Sequence, residues 1–99
     1  MEEGVWGLEV AKAEDVARWM FGEVKRVGYL HQRDAAHEIS SRFGSEFTYE
    51  TERGADATDR RVLKAFREIT GDQVVWVRRE RLWRMRTPHD EPGVRQQDE

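Results

Sequence analysis

The chain has 99 residues, of which 37% are charged and none is cysteine, and its formal net charge is −3. This length favours one small domain, and the lack of cysteine excludes a disulfide framework and a thiolate metal site. Because no apolar run is long enough to span a bilayer and the acidic first residues lack the features of a signal peptide, we expect a cytoplasmic protein with no membrane partner.

Changes in composition divide the chain into three predicted parts. These are an N-terminal arm over 1–12, one folded domain over 13–87 and a disordered acidic tail over 88–99. In the arm, Trp6, Leu8 and Val10 alternate with period two, which indicates a short extended segment that either docks loosely on the core or makes a dimer contact. The tail holds both prolines and a single aliphatic residue, Val94, and this composition is typical of disorder.

Two amphipathic helices are predicted in the first half of the domain. The first covers 14–27 and ends at Gly28, and the second covers 32–43 and ends at Gly44. Between them, Tyr29 and Leu30 form a short extended step. The apolar residues that recur at helical spacing are Val16, Met20, Val24 and Val27 in the first helix, and Ala35, Ala36, Ile39 and Phe43 in the second.

A connection of about fourteen residues then leads to the third helix, whereas the turn of a helix-turn-helix usually needs three or four. Phe47 and Tyr49 alternate with polar neighbours, which permits a short extra strand near 46–50. The stretch from Glu52 to Ala55 is typical of a turn.

The third helix is predicted to begin at an N-cap of Thr58 or Asp59 and to end at Gly71. Arg60, Lys64 and Arg67 fall within an arc of roughly 60° on its outward face. Exposed helix faces are usually charged, but they normally mix both signs, and this arc holds three cations. The inward face is formed by Val62, Ala65, Phe66 and Ile69.

A β-hairpin follows the third helix. A loop at Arg79-Glu80 pairs Trp76 with Trp83 and Val74 with Met85 on one face, and Val77 with Leu82 and Val75 with Arg84 on the other. Cross-strand aromatic pairs stabilise hairpins, so Trp76 and Trp83 are interpreted as hairpin core in preference to a stacking platform for bases. Three arginines surround the tip: Arg78, Arg79 and Arg81.

Charge is distributed unevenly along the chain. Residues 53–86 carry ten basic and five acidic side chains, whereas residues 1–52 carry six basic and eleven acidic ones. Nucleic-acid backbones are bound by a local positive face and not by a positive total. The distribution therefore favours a basic surface built from the third helix and the hairpin.

The segments EDVARWMFGEVKRVGYLHQRDAAHEISSRFG and DRRVLKAFREITGDQVVWVRRERLWRMR have the element order of winged helix-turn-helix domains. The chain resembles the small bacterial winged-helix proteins of unassigned function. The resemblance implies an α+β fold of three helices with a C-terminal two-stranded wing. Winged helices bind DNA, RNA or proteins, and of these we expect double-stranded DNA as the partner. The resemblance places Arg60, Arg61, Lys64 and Arg67 on the recognition helix and Arg78, Arg79 and Arg81 at the wing tip. The alternative is a protein-interaction module or homodimer on the same scaffold that binds no nucleic acid.

Motifs for catalysis or metal binding do not stand out. No two of His31, His37 and His89 have the i, i+4 spacing that places two imidazoles on one helix face. The serines lack a nucleophile-elbow context, and the glycines are scattered instead of forming a phosphate-binding loop. We therefore expect no catalytic residues, no metal and no cofactor, and the protein is predicted not to be an enzyme.

Overall fold

The computed structural model describes residues 12–90 and the backbone of Gln96 and Gln97. Within this part of the chain, three helices and a small, mostly antiparallel sheet form an α+β domain with a winged-helix-like layout, which confirms the predicted fold class. In chain order the elements are α1 (Ala13–Val27), β1 (Tyr29–His31), α2 (Gln32–Phe43), a 3-10 turn (Ser45–Phe47), β2 (Thr48–Glu50), β3 (Asp56–Thr58), α3 (Arg60–Thr70), β4 (Val74–Val77), β5 (Leu82–Met85) and β6 (Gln96–Gln97).

The predicted hairpin register is confirmed by the pairing of β4 with β5. Trp76 lies opposite Trp83 and Val77 opposite Leu82. The predicted two-residue loop at Arg79-Glu80 was too short: because the strands end at Val77 and resume at Leu82, the turn comprises residues 78–81. The sheet has the order β1-β5-β4-β6, in which β6 runs parallel to β4 and the other neighbours are antiparallel.

The extended step at Tyr29 and Leu30 is a strand, β1. Leu30 pairs with Trp83 of β5, so β1 extends the hairpin into a three-stranded sheet and places the two helices that flank it beside that sheet. Three residues are too few to show a period-two pattern, and the strand forms because β5 offers it a hydrogen-bonding edge.

The long connection before α3 contains a second small sheet. Strands β2 and β3 pair antiparallel around a turn in which the Thr51 amide donates to the Ala55 carbonyl at 2.7 Å, so the predicted turn is confirmed. The strand expected near 46–50 is present as Thr48–Glu50. Phe47 and Tyr49 do not share a buried face, because Phe47 belongs to the 3-10 turn and is buried whereas Tyr49 is 52% exposed.

The helix ends agree with the predictions at most positions. α2 has the predicted bounds, and Asp59 is the N-cap of α3, with its carboxylate accepting from the Arg61 amide at 2.7 Å. Gly28 ends α1 at a φ of 105°, which a residue with a Cβ adopts only with strain. Val27, which continues the apolar repeat of α1, is the last residue of the helix and is 46% exposed.

The main core lies between α1, α2, α3 and one face of the hairpin. Side chains without any exposed surface include Val16, Met20 and Val24 of α1, Ile39 of α2 and Val62 of α3. Burial of such side chains contributes about 1.5–3 kcal/mol each. This packing fixes α3 by its apolar face and leaves the opposite face turned to solvent.

The predicted arm lies outside the described residues except for Lys12, and most of the predicted tail does so too, so these boundaries stay predictions. At the start of the tail, residues 87–90 form a turn in which the Thr87 amide donates to the Asp90 carboxylate at 2.7 Å. Among the described helices, none has the combination of length and apolarity that crossing a bilayer requires.

Candidate functional site

The outward face of α3 carries three exposed cations: Arg60, Lys64 and Arg67. Within residues 12–90, none of them forms an ion pair or a side-chain hydrogen bond. The buried residues Val62 and Phe66 anchor the other side of the helix. The structure therefore brings these three predicted residues together on one solvent-facing side.

Arg61 differs from its three neighbours because its guanidinium is held locally. It donates to the Asp59 carboxylate at 2.9 Å and to the Glu46 carbonyl at 3.2 Å, and it lies 5.8 Å from the centroid of the Phe47 ring. The hydrogen bond from Arg61 lowers the pKa of Asp59 below its ordinary value, and the same contact raises the pKa of Arg61. Arg61 thus fastens the start of α3 to the 3-10 turn.

The predicted tip arginines, Arg78, Arg79 and Arg81, lie in the turn between β4 and β5 and are exposed. Arg81 has a φ of 56°, a left-handed conformation that costs a residue with a Cβ roughly 1–2 kcal/mol. Its carbonyl accepts the Gln32 amide at 2.9 Å. This bond ties the wing tip to the start of α2.

Beside the tip lies a concavity of about 750 Å³, the wing-tip cavity. Its charges are mixed, because Arg33 and Arg81 share it with three carboxylates. The cavity is lined by His31, Gln32, Arg33, Asp34, Gly54, Ala55, Asp56, Glu80 and Arg81. Opposite charges this close weaken each other's field in the surrounding solvent. The positive potential is therefore expected to be stronger along α3 than around the wing tip.

A second concavity, the α3–hairpin groove, has a volume of about 480 Å³. Its lining is mostly apolar and aromatic: Gln32, Leu63, Phe66, Arg67, Thr70, Val74, Trp76 and Trp83. The ring centroids of Trp76 and Trp83 are 4.8 Å apart, and Trp83 meets Phe66 edge-on at 5.6 Å. Sequence reasoning missed this groove because its walls are distant in sequence and only the fold brings them together.

The tryptophan pair of the hairpin has two different environments. Trp83 is buried in the core, as predicted, whereas Trp76 is half-buried and packs against the core from the groove. Elsewhere, Trp19 packs edge-on against Phe43 at 6.2 Å and lies under the Arg42 guanidinium at 5.5 Å. Trp76 thus lines the same groove as Arg67 of α3.

At the base of the hairpin, Arg84 is paired with Asp90 through two hydrogen bonds of 2.9 Å each. The pair is shielded from solvent, with 19% of the Arg84 side chain and 6% of the Asp90 side chain exposed. The hydrogen bond from Arg84, followed by that from the Thr87 amide, holds the pKa of Asp90 well below its usual range. Arg84 therefore serves to hold residues 87–90 against the sheet.

Potential metal ligands are not clustered in the described part of the chain, where no group of three or more histidines and carboxylates is placed to hold an ion. The histidines at His31 and His37 lie at the start of α2 and on its exposed side, respectively. The candidate functional surfaces of the described residues are therefore α3, the wing tip and the groove between α3 and the hairpin.

The fold and this surface define the class of protein: a small α+β domain with a winged-helix-like layout and a basic outer helix. A family model matches residues 12–85, and the chain belongs to that family, a family of unknown function termed DUF6953. Comparison with curated proteins found no match, and comparison with solved structures found none either.

Proposed function

We propose that this protein binds double-stranded DNA through α3 and the wing. Arg60, Lys64 and Arg67 contact phosphates as α3 approaches the major groove, and Arg79 and Arg81 hold the adjacent backbone. The observation that carries the proposal is the set of three exposed cations on one face of α3, none of which forms an ion pair within residues 12–90.

The contrast with Arg61 supports this assignment. Where the fold needs a cation at the start of α3, it places Asp59 and the Glu46 carbonyl around it. Within residues 12–90 the three outward cations form no such hydrogen bonds, and phosphate groups are the partners that arginine and lysine bind most readily on nucleic acids. Arg61 is accordingly assigned to the stability of α3 and not to the DNA contact.

The size of the electrostatic effect follows from the number of contacts. About five phosphate contacts give a slope of roughly −4 to −5 for log K against log [salt], because each contact releases condensed counterions. Replacing Arg60, Lys64 and Arg67 by alanine removes three of these contacts. The slope is then expected to become shallower by about 2.7.

Fluorescence anisotropy with a labelled DNA duplex, titrated at about 50 mM and about 200 mM salt, tests the proposal. The Arg60→Ala, Lys64→Ala, Arg67→Ala variant is compared with a control that carries Arg18→Ala, Lys25→Ala and Arg26→Ala on α1. Both variants lose the same charge, so a difference between them reports the position of the cations. The α1 variant is expected to retain the wild-type slope.

Three results would contradict the proposal. The first is an absence of salt-sensitive binding by the wild type, and the second is an equal loss in both triple variants, which would show that only net charge matters. The third is a concentration-dependent dimer, measured by light scattering, that the α3 variant disrupts while DNA binding persists. This last result would favour the protein-interaction function for the same surface.

A further inference from the structure

The α3–hairpin groove adjoins the proposed DNA-binding face, since Arg67 belongs to both. Its walls are aromatic and aliphatic, and Trp76 is half-buried where it lines the groove. Concave sites with apolar walls and a few polar groups are the usual form of ligand-binding sites. The shape and lining of the groove are therefore those of a ligand-binding site.

Three polar residues line the same groove: Arg67, Gln32 and Thr70. Within residues 12–90 the Gln32 side-chain amide makes no hydrogen bond, although its backbone amide donates to the Arg81 carbonyl at 2.9 Å. A side-chain amide offers two donors and one acceptor oxygen. The groove thus combines an apolar wall, an unpaired cation and an unengaged amide.

Building on the proposed DNA binding, we infer that the α3–hairpin groove receives one nucleobase that is unstacked from the bound duplex. The base stacks on Trp76, the phosphate beside it pairs with Arg67, and the Gln32 amide bonds to the base edge. The preferred target is then a duplex with an unpaired nucleotide, such as a single-nucleotide bulge.

The choice of a nucleotide over other occupants rests on charge and continuity. A flat apolar ring next to a negative charge complements this groove, because Trp76 and Arg67 line the same concavity. A nucleotide carries both groups at a short separation. It also arrives along the row of α3 cations, of which Lys64 lies one helical turn from Arg67 on the same face.

The test uses three labelled duplexes: a fully paired one, one with a single-nucleotide bulge, and one with the same bulge lacking its base. The two bulged duplexes have equal charge, so their difference isolates the base. Stacking on an aromatic side chain strengthens binding by roughly 5- to 160-fold per base. Wild-type protein is expected to prefer the bulge with a base over the abasic bulge by a factor in this range.

Variants of Trp76 assign that preference to the groove. Trp76→Leu is expected to bind the two bulged duplexes equally, whereas Trp76→Phe retains part of the preference because its ring still stacks. Trp19→Phe is the matched control, because Trp19 packs on Phe43 and does not line the groove, and it keeps the full preference. Circular dichroism of each variant verifies that it is folded.

Equal binding of the base-containing and abasic bulges by the wild type overturns the inference, and it needs no variant to be stable. A preference that survives in Trp76→Leu overturns it too, as does a concentration-dependent dimer that Trp76→Leu disrupts. None of these outcomes affects the proposed function, which depends on salt-sensitive binding of the fully paired duplex. Failure of that binding would remove the proposed function itself.

Discussion

Helices α1 and α3 pack against each other, but their outward cations differ in ion pairing. On α1, Arg18 pairs with Asp15 at 3.4 Å and Arg26 pairs with Glu23 at 2.7 Å. On α2, Arg42 pairs with Glu38 in the same manner at 2.8 Å. On α3, the outward cations have no ion pair within the described residues.

The difference indicates that ion pairing within residues 12–90 does not use the outward cations of α3. Carboxylates three or four residues away stabilise a helix by about 0.2–0.5 kcal/mol per pair, and like charges at the same spacing destabilise it by a similar amount. Arg60 and Lys64 are four residues apart and thus repel each other, and Glu68, four residues after Lys64, offsets part of this repulsion. A local arrangement that opposes stability is expected at functional sites, and this supports the proposed DNA contact.

The largest effect is expected from a change in the buried interface that α1 and α3 share. Met20 of α1 is fully buried in the core. Met20→Ala removes apolar contacts and leaves a cavity, so the free energy of unfolding should fall by about 2–5 kcal/mol. Urea denaturation measures this loss. Val27→Ala on the exposed end of α1 serves as control and is expected to change stability by less than about 0.5 kcal/mol.

A smaller effect is expected from a change at Asp59. This residue pairs with Arg61, and the pair resembles the ion pairs of α1. Asp59→Ala removes the N-cap and the partner of Arg61, and it should lower the free energy of unfolding by about 1 kcal/mol. Chemical denaturation at neutral pH provides the value. Asp59→Asn keeps a capping oxygen and should lose less, and an equal loss in both variants would contradict the capping role.

The same carboxylate predicts a pH dependence. Because the pKa of Asp59 is lower in the folded state than in the unfolded chain, its contribution is fully present above the ordinary value of about 3.9. It is lost as the pH falls through the folded-state pKa. The stability difference between wild type and Asp59→Ala should therefore shrink on acidification. A difference that stays constant down to acid pH would contradict the linkage.

Helices and the hairpin register could be predicted from the sequence because their signals are local. The 3.6-residue repeat of Val16, Met20 and Val24 and the facing positions of Trp76 and Trp83 lie within short windows. Strands β1, β2 and β3 have three residues each, and their pairing partners lie far away in sequence or within an irregular connection. Their backbone pairing depends on tertiary context, which periodicity does not report.

The candidate site likewise has a part that local sequence signals predict and a part that they do not. The shared face of Arg60, Lys64 and Arg67 follows from helical spacing, so the sequence predicted it. The retention of Arg61 by Asp59 and the Glu46 carbonyl depends partly on a contact across fifteen residues, and the α3–hairpin groove depends on Gln32, α3 and two strands meeting. Such features can be seen only in the fold, because residue spacing within one element does not indicate which residues of another element lie beside it.

The smallest effect is expected from a substitution that gives an outward cation of α3 a carboxylate partner, as on α1. Arg60→Glu places a carboxylate at the start of the helix, where the dipole favours it, and four residues before Lys64, where it can pair. The free energy of unfolding should therefore rise by about 0.5 kcal/mol, while the salt slope of DNA binding becomes shallower by about 0.9 as one phosphate contact is lost. Arg67→Glu near the end of α3 makes the matched comparison, because the dipole opposes a carboxylate there and stability should fall while DNA binding still weakens. If both variants bind DNA as the wild type does, the outward cations of α3 are not the contact. If both weaken DNA binding while stability moves in opposite directions, the loss of affinity belongs to the lost cations and not to a change in folding.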